Sequence, residues 1–243
     1  ILGYSITKII LEGSKEELDL TQNTQPAIFI SSFSIFEMIK RESKLKLSDA
    51  KYLAGHSLGE YSALAAAGSL DFEIALKLLN ERGKAMQTSV PKGTGGMLAV
   101  LGTEIENIIQ ILNSYKDKFS CYVANDNSVG QIVVSGNIND LDLFSIELKK
   151  NNIKNIKLQV SAPFHCKLMS SATQIMKKEI NDVEFKIPSN QIFSNVTAKS
   201  TKDPKIIKEL LIKQIENPVR WREIVINMIK ENVETFIEIG PGK

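Results

Sequence analysis

Lys51-Tyr-Leu-Ala-Gly55-His56-Ser57-Leu58-Gly59-Glu60, continuing Tyr-Ser-Ala-Leu-Ala-Ala-Ala-Gly68, is the stretch on which the fold turns. A short apolar run, Tyr52 to Ala54, stops at Gly55. From Leu58 onward, Tyr61, Leu64 and Ala65 recur at the spacing of one helical face. Between the two lies Gly-x-Ser-x-Gly, centred on Ser57. This is the string of a strand-to-helix turn that holds a serine on strained backbone with its hydroxyl exposed. Glycine is expected on both sides because a Cβ would crowd so tight a turn. The backbone N–H of Leu58 can point at a developing oxyanion, with the positive end of the helix beneath it. The competing reading is a merely structural turn. The strand before and the helix after favour a nucleophilic Ser57.

A chain of 243 residues can bury one large core or two small ones. Its 43% hydrophobic and 24% charged content is that of an ordinary globular enzyme. A net charge of +2, with lysines scattered along the chain, gives no footprint for nucleic acid. No apolar stretch is long enough to span a bilayer, and no signal-peptide pattern is present. Cys121 and Cys166 make neither a disulfide framework nor a metal site, so a reducing, cytoplasmic setting is expected. Among 30 basic residues only Arg41, Arg82, Arg220 and Arg222 are arginine, which suggests sites where a planar fork is needed.

Working outward, residues 1–20 predict a short helical stretch and loop ending near the capping pattern Ser14-Lys-Glu-Glu17. Thr21 to Pro26 reads as a polar, proline-stiffened connection, and Ala27 to Lys40 as a helix. Ser48 to Gly55 is the strand expected to deliver Ser57. Glu60, in the first helical turn, reads equally well as a plain dipole-compensating acid or as a site residue. Asp71 is the expected cap of a helix whose apolar stripe runs Ile74, Ala75, Leu78, Leu79 and lands on Arg82. A guanidinium on the apolar side needs an anion. Either a protein carboxylate or a substrate carboxylate would serve, and proximity to Ser57 favours the second.

Pro91-Lys-Gly-Thr-Gly-Gly96 marks a boundary. Beyond it Met97–Leu101, Ser120–Asn125, Gln131–Ser135 and Ile156–Val160 read as strands, and Glu104–Tyr115 and Asp140–Lys150 as helices. That order, βαββαβ, is a ferredoxin-like split motif inserted in a larger α/β body. Asn125 to Gly130, including Asn127, reads as a turn whose amides could line a cleft. Ser161-Ala-Pro163-Phe164-His165-Cys166 returns to the body. Of the two histidines, His56 is tied into the turn beside the nucleophile. His165, from a distant segment, is the candidate base, as serine–base pairs commonly are assembled. A hydrogen-bonded core histidine is the plainer alternative for His165, and Cys166 reads as buried filler. Leu168–Ile180 and Pro204–Gln214 read as helices, and Gln191–Asn195 and Val233–Ile239 as strands. Asn217-Pro218 breaks the helix after Gln214 and leaves carbonyls without intrahelical partners.

Several of these stretches recur together in one family. They are Thr24-Gln25-Pro26-Ala27, Gly55 to Leu64, Arg82-Gly83 with Met86-Gln87, and Asn127-Ser128 with Gly130-Gln131. Pro163 to Cys166, Gln214 with Asn217-Pro218-Val219, and Glu238 to Lys243 complete the set. In this the chain resembles the malonyl-CoA:acyl carrier protein transacylases of fatty-acid synthesis. The resemblance implies an α/β-hydrolase-like large subdomain (1–94 and 161–243) with an inserted ferredoxin-like small subdomain (95–160). It implies that Ser57 is acylated, that His165 is the base, and that Leu58 supplies an oxyanion donor. Arg82 would bind the malonyl carboxylate, a main-chain carbonyl at Gln214 would orient the histidine, and Phe164 would go with malonyl over bulkier groups. His56, Asn127 and Asn217 would support the site.

The same resemblance implies malonyl-CoA as substrate, acyl carrier protein as partner, no cofactor or metal, and a monomer. The family's leading Gly-Gln-Gly-Ser-Gln segment and its C-terminal end have no counterpart here, as expected of a piece of a longer protein. A polyketide acyltransferase, a serine (thio)esterase and a catalytically idle carrier-docking module are the rival expectations. The esterase would want an acid for its triad, and none stands out between Ser57 and His165.

Overall fold

Two helices open the chain, and each starts where a serine side chain accepts an orphan backbone N–H. Ser5 caps α1 (Ile6–Glu12) and Ser14 caps α2 (Lys15–Leu18). The structure is a computed structural model describing residues 1–160 and 162–241; Ser161, Gly242 and Lys243 of the quoted motifs lie outside the described residues.

Helix α3 (Thr21–Glu42) begins six residues before the expected Ala27 and carries Pro26 inside it. An interior proline leaves the carbonyl four residues earlier without a partner. That carbonyl, on Gln22, accepts instead from the Asn80 side-chain amide at 3.2 Å and from the Tyr4 hydroxyl at 3.4 Å. The polar run Thr21–Gln25 is therefore helical because tertiary donors replace the missing N–H.

Strand β1 is only Tyr52–Leu53 and is followed by α4 (Gly59–Ala66) and α5 (Phe72–Gln87). Leu47–Asp49 forms a 3-10 turn, which shortens the strand expected from Ser48. Asp71 stands at the start of α5, but its carboxylate pairs with Lys186 and makes no capping bond. Helices α3 and α5 approach closely at Gly83, where a Cβ would lie 2.6 Å from Gln22 Cα.

Next come β2 (Gly95–Leu101), α6 (Ile105–Ser114), β3 (Cys121–Ser128), β4 (Gln131–Asn137), α7 (Ile138–Lys150) and β5 (Lys154–Lys157). These strands form an antiparallel sheet in the order β3-β4-β2-β5. It has its own core, built on Leu98, Ile108, Val134 and Phe144. The expected turn at Asn125–Gly130 is instead mostly strand: β3 runs to Ser128 through two register shifts, and Gly130 (φ 72°) reverses the chain.

Helix α8 (Ser170–Asn181), β6 (Gln191–Phe193), β7 (Ser200–Thr201), α9 (Pro204–Gln214) and α10 (Trp221–Lys230) complete the chain. The main sheet has the order β1-β6-β7, with β1 parallel to β6. Phe29, Leu64, Leu79, Met176 and Ile192 pack into the largest core beside it. Both sheets and their covering helices make this an α/β fold.

Val233–Ile239, expected as a strand, is not one. Its alternating side chains suit a strand, but it joins no ladder among the described residues, and Phe236 and Ile237 are about half exposed. The expected strands Ser120–Asn125 and Ile156–Val160 are likewise displaced, to Cys121–Ser128 and Lys154–Lys157.

The two glycines around Ser57 are not equivalent, contrary to the expectation from sequence. A Cβ on Gly55 would meet the Gly59 backbone at 1.9 Å, whereas a Cβ on Gly59 would meet nothing within 4 Å. Only Gly55 is required by the close approach. Gly55→Ala is therefore expected to cost about 3 kcal/mol or more, as overpacking against backbone does. That is a thermal midpoint lowered by roughly 6–12 °C for a chain this size. Gly59→Ala should leave the midpoint within about 3 °C, since it changes stability by under ~1 kcal/mol. Calorimetry of the two variants checks the asymmetry.

Candidate active site

The turn between β1 and α4 forces Ser57 into the left-handed region, at φ 53°. A non-glycine residue pays for that conformation unless its surroundings hold it there. Asn195, just beyond β6, does the holding. Its Oδ1 accepts from the Ser57 N–H at 2.7 Å, and its Nδ2 donates to the Gly55 carbonyl at 2.8 Å. The Leu58 N–H, by contrast, makes no hydrogen bond among the described residues and faces the turn unengaged.

His165 also sits at positive φ, 58°, in the segment that follows β5. The Phe164 carbonyl before it accepts from Ser135 Oγ of β4, and Pro163 packs on Gly95 of β2. The second sheet thus holds the histidine against the first. His165 Nε2 lies 2.8 Å from Ser57 Oγ, and its Nδ1 lies 2.9 Å from the Gln214 carbonyl. A carbonyl can only accept, so Nδ1 carries the proton and Nε2 is free to accept the serine O–H. Gln214 ends α9, and its carbonyl would normally bond the N–H four residues on. That residue is Pro218, which has none. Burial, and then the nearby Arg82 cation, push the imidazole down to about 3. The ring is therefore neutral at ordinary pH.

Arg82, 1% exposed on α5, completes the cluster. Its Nη1 donates to Gln25 Oε1 at 2.6 Å. Its Nη2 donates to Gln214 Oε1 at 2.9 Å and to Ser57 Oγ at 3.0 Å. No carboxylate pairs with it among the described residues, and its buried Nε has no partner. The protein carboxylate considered as an alternative from sequence is not in contact. The guanidinium also lies 5.8 Å from the Tyr61 ring centre, within cation–π range. Burial lowers its pKa, yet arginine stays protonated in proteins.

Of the expected supporting residues, His56 turns away from Ser57: its Nε2–H donates to Asn127 Oδ1 at 2.9 Å, and its ring meets Trp221 edge-on. The contact Asn127 makes here is through its side chain. The Asn217 side chain donates to the Lys213 carbonyl at the end of α9. Phe164 lines the cleft, together with Ser57, Leu58, Arg82, Met86 and His165. That cleft has a volume of about 230 Å³. Cys166 is buried, and burial pushes its thiol up to about 11.

Three residues matter more than their sequence context announces. Asn195 was visible only as the end of a strand, and Gln25 only as part of a shared motif. Glu60 is 2% exposed, and its Oε2 accepts from the Asn195 N–H at 3.1 Å and from Gln214 Nε2 at 2.8 Å. One signal is available: an acid immediately after the serine turn, on a helix otherwise without charge.

An acyl transferase domain family matches residues 1–242, and the chain belongs to that family. Within it, the chain is 41% identical over its whole length to the malonyl CoA-acyl carrier protein transacylase of Bacillus subtilis, covering 76% of that protein. It is 37% identical to the enzyme of the same name from Haemophilus influenzae, covering 77%. Among solved structures, the transacylase of Coxiella burnetii superposes with a TM-score of 0.95 at 35% identity, over 99% of this chain and 76% of that one. A malonyl-transacylase in complex with its holo type II PKS acyl-carrier protein gives 0.94, also at 35% identity, over 99% and 77%. No helix among the described residues is long and apolar enough to cross a membrane.

Burial lifts the Glu60 carboxyl to about 7, above the carboxyl's ordinary 4.5. The folded protein therefore holds a proton that the unfolded chain has released. Its stabilising effect is complete below pH 4.5 and is lost as pH rises through 7. Glu60→Gln, which keeps an acceptor oxygen but does not titrate, should gain on the parent by on the order of 3 kcal/mol between pH 4.5 and 8. Urea unfolding of both proteins at the two pH values measures the difference.

Proposed function

We propose that this chain transfers the malonyl group from malonyl-CoA to the phosphopantetheine thiol of an acyl carrier protein, through a malonyl-serine ester, in fatty-acid biosynthesis. The observation that carries the proposal is the convergence on one oxygen. Ser57 Oγ has a neutral imidazole at 2.8 Å and a buried guanidinium at 3.0 Å. A base beside a serine defines acyl transfer, and a fork with an unpartnered N–H beside it defines an acyl group that ends in a carboxylate. The names of the relatives and the carrier-protein complex of a structural neighbour point the same way.

In the first half-reaction His165 Nε2 takes the Ser57 proton as Oγ attacks the thioester carbonyl. The oxyanion forms against the Leu58 N–H, at the positive end of α4. The tetrahedral adduct collapses, and the CoA sulfur leaves with the proton from the imidazolium. In the second half the carrier thiol gives its proton to His165 and attacks the ester; the adduct collapses with cleavage of the ester C–Oγ bond, and Oγ takes the imidazolium proton, which regenerates Ser57 and His165. The imidazolium is stabilised by the Gln214 carbonyl on Nδ1, a neutral acceptor in the place an aspartate takes in a protease triad. A thioester needs less activation than an amide, which fits the absence of an acid at that position. Arg82 fixes the free carboxylate and with it the ester, so that the thiol finds the trajectory.

The finer architecture belongs to the same reading. Residues 1–94 and 161–243 are an α/β-hydrolase-like large subdomain, and 95–160 a ferredoxin-like small one; the strand order β3-β4-β2-β5 and its separate core support this. The enzyme acts in the cytoplasm as a monomer, with malonyl-CoA as substrate and no cofactor.

Incubation with malonyl-CoA should add one malonyl mass to the intact protein, and Ser57→Ala should abolish the adduct; an undiminished adduct would remove Ser57 from the mechanism. Arg82→Ala should lower kcat/KM for malonyl transfer by roughly a hundredfold or more, as loss of charge-assisted hydrogen bonds does, with a much smaller effect on acetyl transfer. Equal losses would refute the carboxylate role. Because the free imidazole is neutral, single-turnover acylation by the Glu60→Gln variant, which lacks the neighbouring carboxyl that titrates near 7, should show no inflection near pH 6.5, the ordinary imidazole value. An acid limb there would mean a ring that titrates normally.

A further inference from the structure

Glu60 takes no part in the chemistry just described, yet it is buried directly behind it. Its Oε2 receives the Gln214 side-chain amide at 2.8 Å, and the other hydrogen of that amide goes to the Ser57 carbonyl at 3.0 Å. The Ser57 carbonyl can only accept, and Glu60 Oε2 already accepts from the Asn195 N–H, so the NH2 end of Gln214 must face them and Oε1 must face the other way. There it receives Arg82 Nη2 at 2.9 Å. An amide turned over would present N–H groups to a guanidinium that also has only N–H groups.

The arrangement has a further consequence for Arg82. A carboxylate placed directly on the guanidinium would occupy its fork in two-point fashion. Held one amide away, the acid leaves Nε unpartnered and Nη2 on the serine oxygen, where the guanidinium lines the cleft. Glu60 lies in the first turn of α4, Gln214 ends α9 and Arg82 lies on α5, so two contacts of the Gln214 side chain tie three helices together.

We propose that Glu60 is a positioning residue for the acyl carboxylate. By accepting from Gln214 Nε2 it orients that amide, and the amide oxygen holds Arg82 in the pose that meets the substrate. The proposal rests on the carboxylate-binding reading of Arg82 and extends it to a residue that touches neither substrate nor reacting atoms.

The test is the ratio of kcat/KM for malonyl-CoA to that for acetyl-CoA, which a general loss of folding would not move. Glu60→Met should lower the ratio roughly tenfold or more, the range for one hydrogen bond to a charged group. Glu60→Gln, which keeps the acceptor, should bring it back to within about threefold of the parent. In an Arg82→Ala background Glu60→Met should change the ratio by less than about twofold, because the two act as one unit. Gln214→Met breaks the same bridge from its other end with the main-chain carbonyl kept, and should reproduce the loss where Glu60→Met does not fold. Equal losses for both acyl groups in these variants, failure of Glu60→Gln to recover, or full additivity with Arg82→Ala would overturn the proposal. A ratio that collapses in Arg82→Ala but holds in Glu60→Met and Gln214→Met removes the positioning role alone. A ratio untouched by Arg82→Ala removes the carboxylate reading and this inference together.

Discussion

A guanidinium inside a protein has to be met by acceptors, and much of this structure is arranged around that demand at Arg82. Leaving such a group buried without compensation costs several kcal/mol. Here the compensation comes from neutral oxygens: Gln25 from α3, Gln214 from α9 and Ser57 from the turn. A protein carboxylate would satisfy the charge more strongly but would close the site. Neutral acceptors stabilise the cation less, as the proposed carboxylate-binding role requires. The close crossing of α3 and α5 at Gly83 brings Gln25 within reach, so a packing feature and a chemical one share a cause.

Prolines at two helices supply polar groups where the fold needs them. Pro26 frees the Gln22 carbonyl, which Asn80 and Tyr4 occupy and so tie α3 to α5 and to the start of the chain. Pro218 frees the Gln214 carbonyl, which His165 occupies. The first ties helices together, and the second fixes the tautomer of His165. Strain is distributed in the same spirit. Both Ser57 and His165 sit at positive φ, and both are held by side chains from other elements: Asn195 on one side, Ser135 through the Phe164 carbonyl on the other. Rigid surroundings keep the two reactive atoms 2.8 Å apart without a direct covalent route between them.

The chain on its own was enough to single out Ser57, His165 and Arg82. Each stands out locally: a serine between turn glycines, a lone unassigned histidine, and a cation on an apolar stripe. The order of strands and helices was legible for the same reason, since hydrophobic periodicity is a local property. Where local patterns needed a partner, they misled. Val233–Ile239 alternates like a strand but joins no ladder among the described residues, and Thr21–Gln25 looks like a loop until Asn80 and Tyr4 supply the donors that Pro26 lacks.

Tertiary structure alone decided that Glu60 and Asn195 pack against the serine turn, that a Cβ would clash at Gly55 but not at Gly59, and that Arg82 faces neutral acceptors. Each of these depends on distance between segments remote in sequence: 135 residues separate Glu60 from Asn195, and 154 separate it from Gln214. Residue type and spacing report what a side chain is able to do. Which acceptor it meets, and whether a glycine touches backbone or open space, is set by the packing of distant elements, and only the folded chain carries that information.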